Sequence, residues 1–117
     1  IHAEGYMGGE LKHGPIALID EEMPILALSQ RGVLNEKMKS NVEEVNARGG
    51  TMITVSEVSD QMFQNVSKYE IKIPDVHELI LPIVQTVPLQ LLAYYIAKYK
   101  GCDVDQPRNL AKSVTVE

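Results

Sequence analysis

Two short apolar segments on either side of one amphipathic helix pattern constrain this chain more than any other feature. Residues 24–28 and 51–55 are rich in aliphatic or β-branched side chains, which is typical of strands buried on both faces. Between them, apolar residues recur at helical spacing up to Gly49-Gly50, at Leu34, Met38, Val42 and Val45. Strand, helix and strand with short connections form a βαβ unit. The sequence therefore predicts an α/β fold with a parallel sheet.

The segments outside this unit predict a third strand, a long helical region and an irregular start. Residues 69–73 alternate in polarity and stop at Pro74, as an edge strand does. Residues 78–100 are apolar around most of a helical circumference, which predicts one long buried helix kinked near Pro88 or two helices. A helix is expected to end near Gly8-Gly9. The opening at Ile1, in mid-pattern and without a capping signal, suggests a piece cut from a longer chain.

Charge and composition exclude several classes of function. Lys and Arg number 11 against 16 Asp and Glu, so the net charge is −5, and broad binding to a phosphate backbone is not expected. An aromatic content of 5% leaves no stacking platform for nucleic acid. Prolines and glutamines interrupt the longest apolar stretch, 79–97, so we expect no membrane partner. The single cysteine, Cys102, excludes an intrachain disulfide, and we expect a cytoplasmic protein.

The loops that follow the three predicted strands are the places where a ligand is expected. In open parallel sheets, ligands bind beyond the carboxyl ends of the strands. No glycine-rich phosphate cradle occurs there, and His2 with Glu4 lacks a third ligand at a metal-binding spacing, so no metal or other cofactor is predicted. The polar residues in these loops are Ser29, Gln30, Ser56, Glu57, Asp75 and His77.

Two further residues could carry chemistry. His13 lies in a compact turn before Gly14-Pro15, and its ordinary pKa of ~6.5 suits proton transfer near neutral pH. Lys112 is the one charged residue in the stretch 109–114. Burial there would lower its pKa, and the neutral amine could attack a carbonyl. The simpler interpretations are a surface turn for His13 and a solvated lysine on a loose terminus for Lys112. Spacing alone does not choose between them.

Three segments resemble the carboxyl-terminal part of the glucosamine-6-phosphate synthase family, the glutamine:fructose-6-phosphate amidotransferases. They are GELKHGPIALID at 9–20, TVPLQLLAYYIA at 86–97 and GCDVDQPRNLAKSVTVE at 101–117. The resemblance implies a three-layer αβα sugar isomerase (SIS) subdomain with a parallel sheet, truncated at its amino terminus. Residues 1–100 would form most of the second SIS subdomain of such an enzyme. Residues 101–117 would form a tail that closes the active site.

The same resemblance implies an activity and roles for three residues. The family makes glucosamine 6-phosphate from fructose 6-phosphate, with ammonia that an amino-terminal glutaminase domain releases from glutamine. Lys112 matches the lysine that forms a Schiff base, and Ala111 a position whose backbone touches the sugar. His13 matches the histidine assigned to ring opening, which acts in the neighbouring active site of a homodimer. The glutaminase domain and the first SIS subdomain are absent, so we expect this chain alone to be inactive.

Two other functions remain open at this point. One is a sugar-phosphate-sensing SIS module of a transcriptional regulator, which binds hexose phosphates without turnover. The other is a sugar-phosphate isomerase or deglycase that lacks a glutaminase half. The residues preceding Ile1 in the parent would separate them, because a glutaminase region indicates the amidotransferase and a DNA-binding region indicates the sensor. The complete tail motif favours the amidotransferase.

Overall fold

A computed structural model of the chain describes residues 1–107, in which short helices precede an alternation of strands and helices. The chain divides between Gln85 and Thr86 into two compact units. The first contains the sheet, and most of the last helix belongs to the second. In chain order the elements are two 3₁₀ helices at Gly8–His13 and Pro15–Leu18, β1 at Pro24–Leu28, α1 at Val33–Asn46, β2 at Thr51–Glu57, β3 at Tyr69–Ile73 and α2 at Leu81–Tyr99.

The three strands form one parallel sheet in the order β1-β2-β3. Leu26 pairs with Ile53 across β1 and β2, and Val55 pairs with Ile71 across β2 and β3. The predicted βαβ unit and the third strand at an edge of the described sheet are therefore confirmed. The carboxyl ends of all three strands point to the same edge, which is where the sequence places a ligand.

The core lies between one face of this sheet and α1. Val42 and Val45 project from the helix and are only 2% exposed, and Phe63, in the connection between β2 and β3, is fully buried. Removing side chains of this size from water stabilises the fold by about 1.5–3 kcal/mol each. The buried cluster consists of Ile19, Ala27, Val42, Val45, Met52 and Phe63.

The two 3₁₀ helices pack against this core, and they correct one expectation. The sequence predicts a helix that ends near Gly8-Gly9, but residues 1–7 have no regular structure and the first helical turn begins at Gly8. A Cβ atom at Gly8 would lie 3.0 Å from Met38 Cε and 3.0 Å from Asn41 Nδ2 of α1. The glycine therefore serves a close approach to α1 rather than the end of a helix.

Helix α2 is a single helix that contains Pro88, so the choice between one helix and two is settled in favour of one. Its predicted burial is wrong for a large part of its surface. Ile83, Leu91 and Tyr95 are 68%, 51% and 61% exposed. The reason is that apolar side chains surround the whole circumference of the helix, so residue type alone does not show which of them are buried.

Candidate functional site

The carboxyl edge of the sheet carries an open cleft of about 560 Å³. The loops after all three strands line it, as the sequence predicts. Of the six residues proposed for these loops, four lie in the lining, and Ser29 and Ser56 do not. Ser56 and Glu57 belong to β2 and not to a loop, because the strand extends two residues beyond its predicted end. Sequence reasoning missed Arg31, Asn35, Ser59 and Asp60. The lining residues are Gln30, Arg31, Gly32, Asn35, Glu57, Ser59, Asp60, Asp75, Val76 and His77.

A charged pair at the base of the cleft ties the three loops together. Arg31 Nε donates to Glu57 Oε2 over 2.9 Å, and Arg31 Nη2 donates to Glu57 Oε1 and to the carbonyl oxygen of Val76. The Val76 N–H donates to Glu57 Oε1 over 2.8 Å. The side chain of Glu57 is only 7% exposed. Hydrogen bonding from Arg31 lowers the pKa of Glu57, against the opposing effect of burial.

Asn35, Asp60 and Asp75 in the cleft also have partners within the chain. Asn35 Oδ1 accepts a hydrogen bond of 3.0 Å from the Gln30 N–H, and Asn35 Nδ2 donates to Asp60 Oδ2 over 2.9 Å. Asp75 accepts from the hydroxyl and the N–H of Ser59, and these bonds lower its pKa. With Arg31 paired, Asp60 and Asp75 leave the cleft negative. A phosphate group is therefore disfavoured here.

The described residues contain no group of three or more His, Cys, Asp or Glu side chains that could hold a metal ion. A search of the same residues for a helix able to cross a lipid bilayer also finds none. The chemistry of the cleft is thus that of carboxylates, amides, one guanidinium, the Ser59 hydroxyl and the imidazole of His77. This arrangement fixes loops and offers no activated nucleophile.

His13 lies away from this cleft, at the end of the first 3₁₀ helix. It is exposed, and within residues 1–107 no hydrogen bond to its imidazole is found. Gly14 follows it with φ of 155° and ψ of −57° and joins the two 3₁₀ helices. Lys112 and Ala111 lie outside the described residues. The structure therefore places one of the three predicted site residues, and the grouping of the three stays a prediction.

The family of the chain follows from its sequence profile. The profile of the SIS domain matches residues 1–98. The chain belongs to the SIS domain family. The parallel sheet with its helices agrees with an SIS fold.

Relatives extend this SIS assignment to the whole chain. All 117 residues align at 57% identity with a glutamine–fructose-6-phosphate aminotransferase (isomerizing) from Thermus thermophilus, and at 56% with the protein of that name from Escherichia coli. The chain spans 19% of the length of each. A solved structure titled the C-terminal domain of glucosamine-fructose-6-phosphate aminotransferase from Francisella tularensis matches with a TM-score of 0.80 and 44% identity. That match covers 92% of this chain and 30% of the other.

Proposed function

We propose that this chain is the carboxyl-terminal isomerase part of an enzyme that makes glucosamine 6-phosphate from fructose 6-phosphate and glutamine. The observation that carries the proposal is that proteins named for this reaction match all 117 residues at 56–58% identity. The TM-score of 0.80 to the C-terminal domain of such a protein supports the same assignment. The reaction would be the first step of hexosamine synthesis, in the cytoplasm.

The proposed chemistry begins with ring opening. A closed ketohexose hides its carbonyl, so the anomeric hydroxyl must lose a proton while the ring oxygen gains one and the bond between C2 and that oxygen breaks. His13 is the acid–base residue proposed for this step. Lys112 then attacks the free carbonyl with its neutral amine, and loss of water gives an imine. Ammonia from glutamine displaces the lysine, and a proton moves from C1 to C2.

The exposure of His13 supports its proposed action in a neighbouring subunit of a homodimer. Its imidazole lies on an exposed corner rather than in the cleft of its own sheet. The tail 101–117 is proposed to close over the sugar, which would exclude water and lower the pKa of Lys112, with the backbone of Ala111 against the substrate.

The charge of the described cleft supports a phosphate site elsewhere in the enzyme. The guanidinium of Arg31 is already paired with Glu57, and the carboxylates of Asp60 and Asp75 would repel a phosphate. We therefore assign the phosphate contacts to the first SIS subdomain, and the release of ammonia to a glutaminase domain. Both are implied by the family resemblance.

Borohydride trapping tests the proposed lysine. The full-length protein is incubated with fructose 6-phosphate, reduced and digested, and the peptides are analysed by mass spectrometry. We expect one sugar phosphate attached to Lys112. The matched control is Lys112→Arg, which keeps the positive charge but cannot form the imine. An adduct of equal yield in that variant would refute the assignment.

A further inference from the structure

We infer that Gly14 is a positioning residue for His13, an inference that rests on the ring-opening role proposed above. His13 is the last residue of one 3₁₀ helix and Pro15 the first of the next, so Gly14 alone forms the corner between them. The angle between the turn that carries His13 and the turn that follows therefore depends on the two backbone angles of this one residue, and it limits the directions open to the imidazole.

Both sides of the corner are anchored in the fold. Leu11, on the side before it, and Ile16, on the side after it, pack against the buried core. The Ala17 N–H donates to the carbonyl oxygen of Gly14 over 3.0 Å and closes the second turn. Lys12, His13 and Gly14 are exposed. The corner is thus held at both ends while its apex projects into solvent.

Residues other than glycine would not readily adopt the backbone angles of Gly14, for two reasons. A φ of 155° combined with a ψ of −57° lies outside the regions that a residue with a Cβ atom populates. In addition, Gly14 precedes Pro15, and the residue before a proline is driven away from negative ψ by the proline ring. Only a residue without a side chain tolerates both constraints at low cost.

Space around Gly14 is not the constraint. A Cβ atom built at this position meets no atom within 4 Å. A substitution by alanine would therefore cause no clash beyond the neighbours His13 and Pro15, and would act through rotation of the backbone between them. A general acid must lie within about 2.6–3.2 Å of the atom that it protonates. A displacement of about 1 Å can cost on the order of 100-fold in rate.

The test separates ring opening from the later steps. The full-length protein carries Gly14→Ala, and its activity is compared on fructose 6-phosphate and on 5-deoxyfructose 6-phosphate, which lacks the hydroxyl that closes the ring. We expect the variant to lose about 10- to 100-fold in kcat on fructose 6-phosphate and to act on the open-chain sugar at the wild-type rate. The rate of borohydride-trapped adduct formation, measured with both sugars, gives a second readout of the same step.

Gly9→Ala is the matched control. Gly9 is exposed, a Cβ atom there meets nothing within 4 Å, and its φ is not positive. This variant should behave as wild type on both sugars. His13→Asn should reproduce the substrate pattern of Gly14→Ala, since both changes would act on ring opening.

The possible outcomes distinguish the role of Gly14 from the proposed function of the enzyme. An equal loss on both sugars would show that Gly14 supports the fold rather than the direction of His13, and no loss on either would also overturn the inference. Retained turnover or trapping of the open-chain sugar shows that the variant is folded. A wild-type protein that forms no hexosamine phosphate from fructose 6-phosphate and glutamine would instead reject the proposed function.

Discussion

At the scale of single residues, Glu57 is the point at which the three loops of the cleft converge. Its carboxylate accepts hydrogen bonds from Arg31, in the loop after β1, and from the N–H of Val76, in the loop after β3. Because the side chain is almost fully buried, the carboxylate relies on these donors in place of water. The pair therefore links the ends of three strands through one charged group.

The lowered pKa of Glu57 predicts a pH-dependent contribution to stability. In the wild type, the ionised carboxylate contributes fully above the unfolded-state pKa, about 4.3, and the contribution is lost as the pH falls through the lower folded-state pKa. We expect Glu57→Gln to lower Tm by about 4–8 °C near pH 7. The difference in Tm between wild type and Glu57→Gln should become smaller as the pH falls below about 4.

Thermal unfolding of the 117-residue chain, followed by circular dichroism from pH 7 to pH 3, measures this gap. Glu44→Gln is the control, because Glu44 is an exposed carboxylate on α1 and should give a small difference at every pH. A gap between wild type and Glu57→Gln that stays constant over the whole range would contradict the ionic role of Glu57.

The sequence predicts that Glu57 lies at the carboxyl edge of the sheet, but it does not predict that Arg31 pairs with it. The end of a parallel strand is a predictable position, so the loop positions of Asp75 and His77 are confirmed, whereas Glu57 lines the cleft as the last residue of β2 and not from the loop. Arg31 lies 26 positions before Glu57, and their pairing depends on side-chain directions that only the folded sheet fixes. An arginine placed directly after a buried strand was the available signal.

At the scale of elements, two different periodicities made the βαβ unit predictable. Residues 51–55 are apolar or β-branched throughout, whereas α1 repeats its apolar residues every three or four positions, and each pattern corresponds to one type of element. The start of the chain had no such pattern. The sequence predicts a helix end at Gly8-Gly9, but Gly8 instead allows a close approach to Met38 and Asn41, which are distant in sequence. Contacts of this kind leave no periodic trace.

The connection between α1 and β2 provides a prediction at this scale. A Cβ atom at Gly50 would lie 2.7 Å from Ile19 Cγ2 and 2.8 Å from Val45 Cγ1, both in the core. These branched side chains have few alternative rotamers. We expect Gly50→Ala to reduce the free energy of unfolding by about 1–3 kcal/mol, as measured by urea denaturation. Gly9→Ala should cause no loss, and equal stability of the two variants would show that the core yields to the added methyl group.

At the scale of the whole molecule, the two edges of the described sheet differ in character. Strand β3 carries Glu70 and Lys72 and is followed by Pro74, which are devices that keep an edge from pairing with other strands. Strand β1, with the sequence PILAL, has no charged residue and reads as an interior strand. The β1 edge of the described sheet is therefore less protected against pairing with another strand than the β3 edge is.

The last prediction concerns the catalytic competence of the 117 residues by themselves. The described cleft is negative and its one guanidinium, Arg31, is paired with Glu57, so it offers no phosphate site. His13 is proposed to act on sugar held by a neighbouring subunit, and the ammonia is proposed to come from a glutaminase domain. We therefore expect the isolated chain to form no detectable glucosamine 6-phosphate from fructose 6-phosphate, with either glutamine or ammonia as the nitrogen source. The full-length protein, assayed in parallel, should form it with glutamine. Appreciable product from the isolated chain with ammonia would show that these residues contain a complete sugar site, and the assignment of the phosphate contacts to the first SIS subdomain would then be wrong.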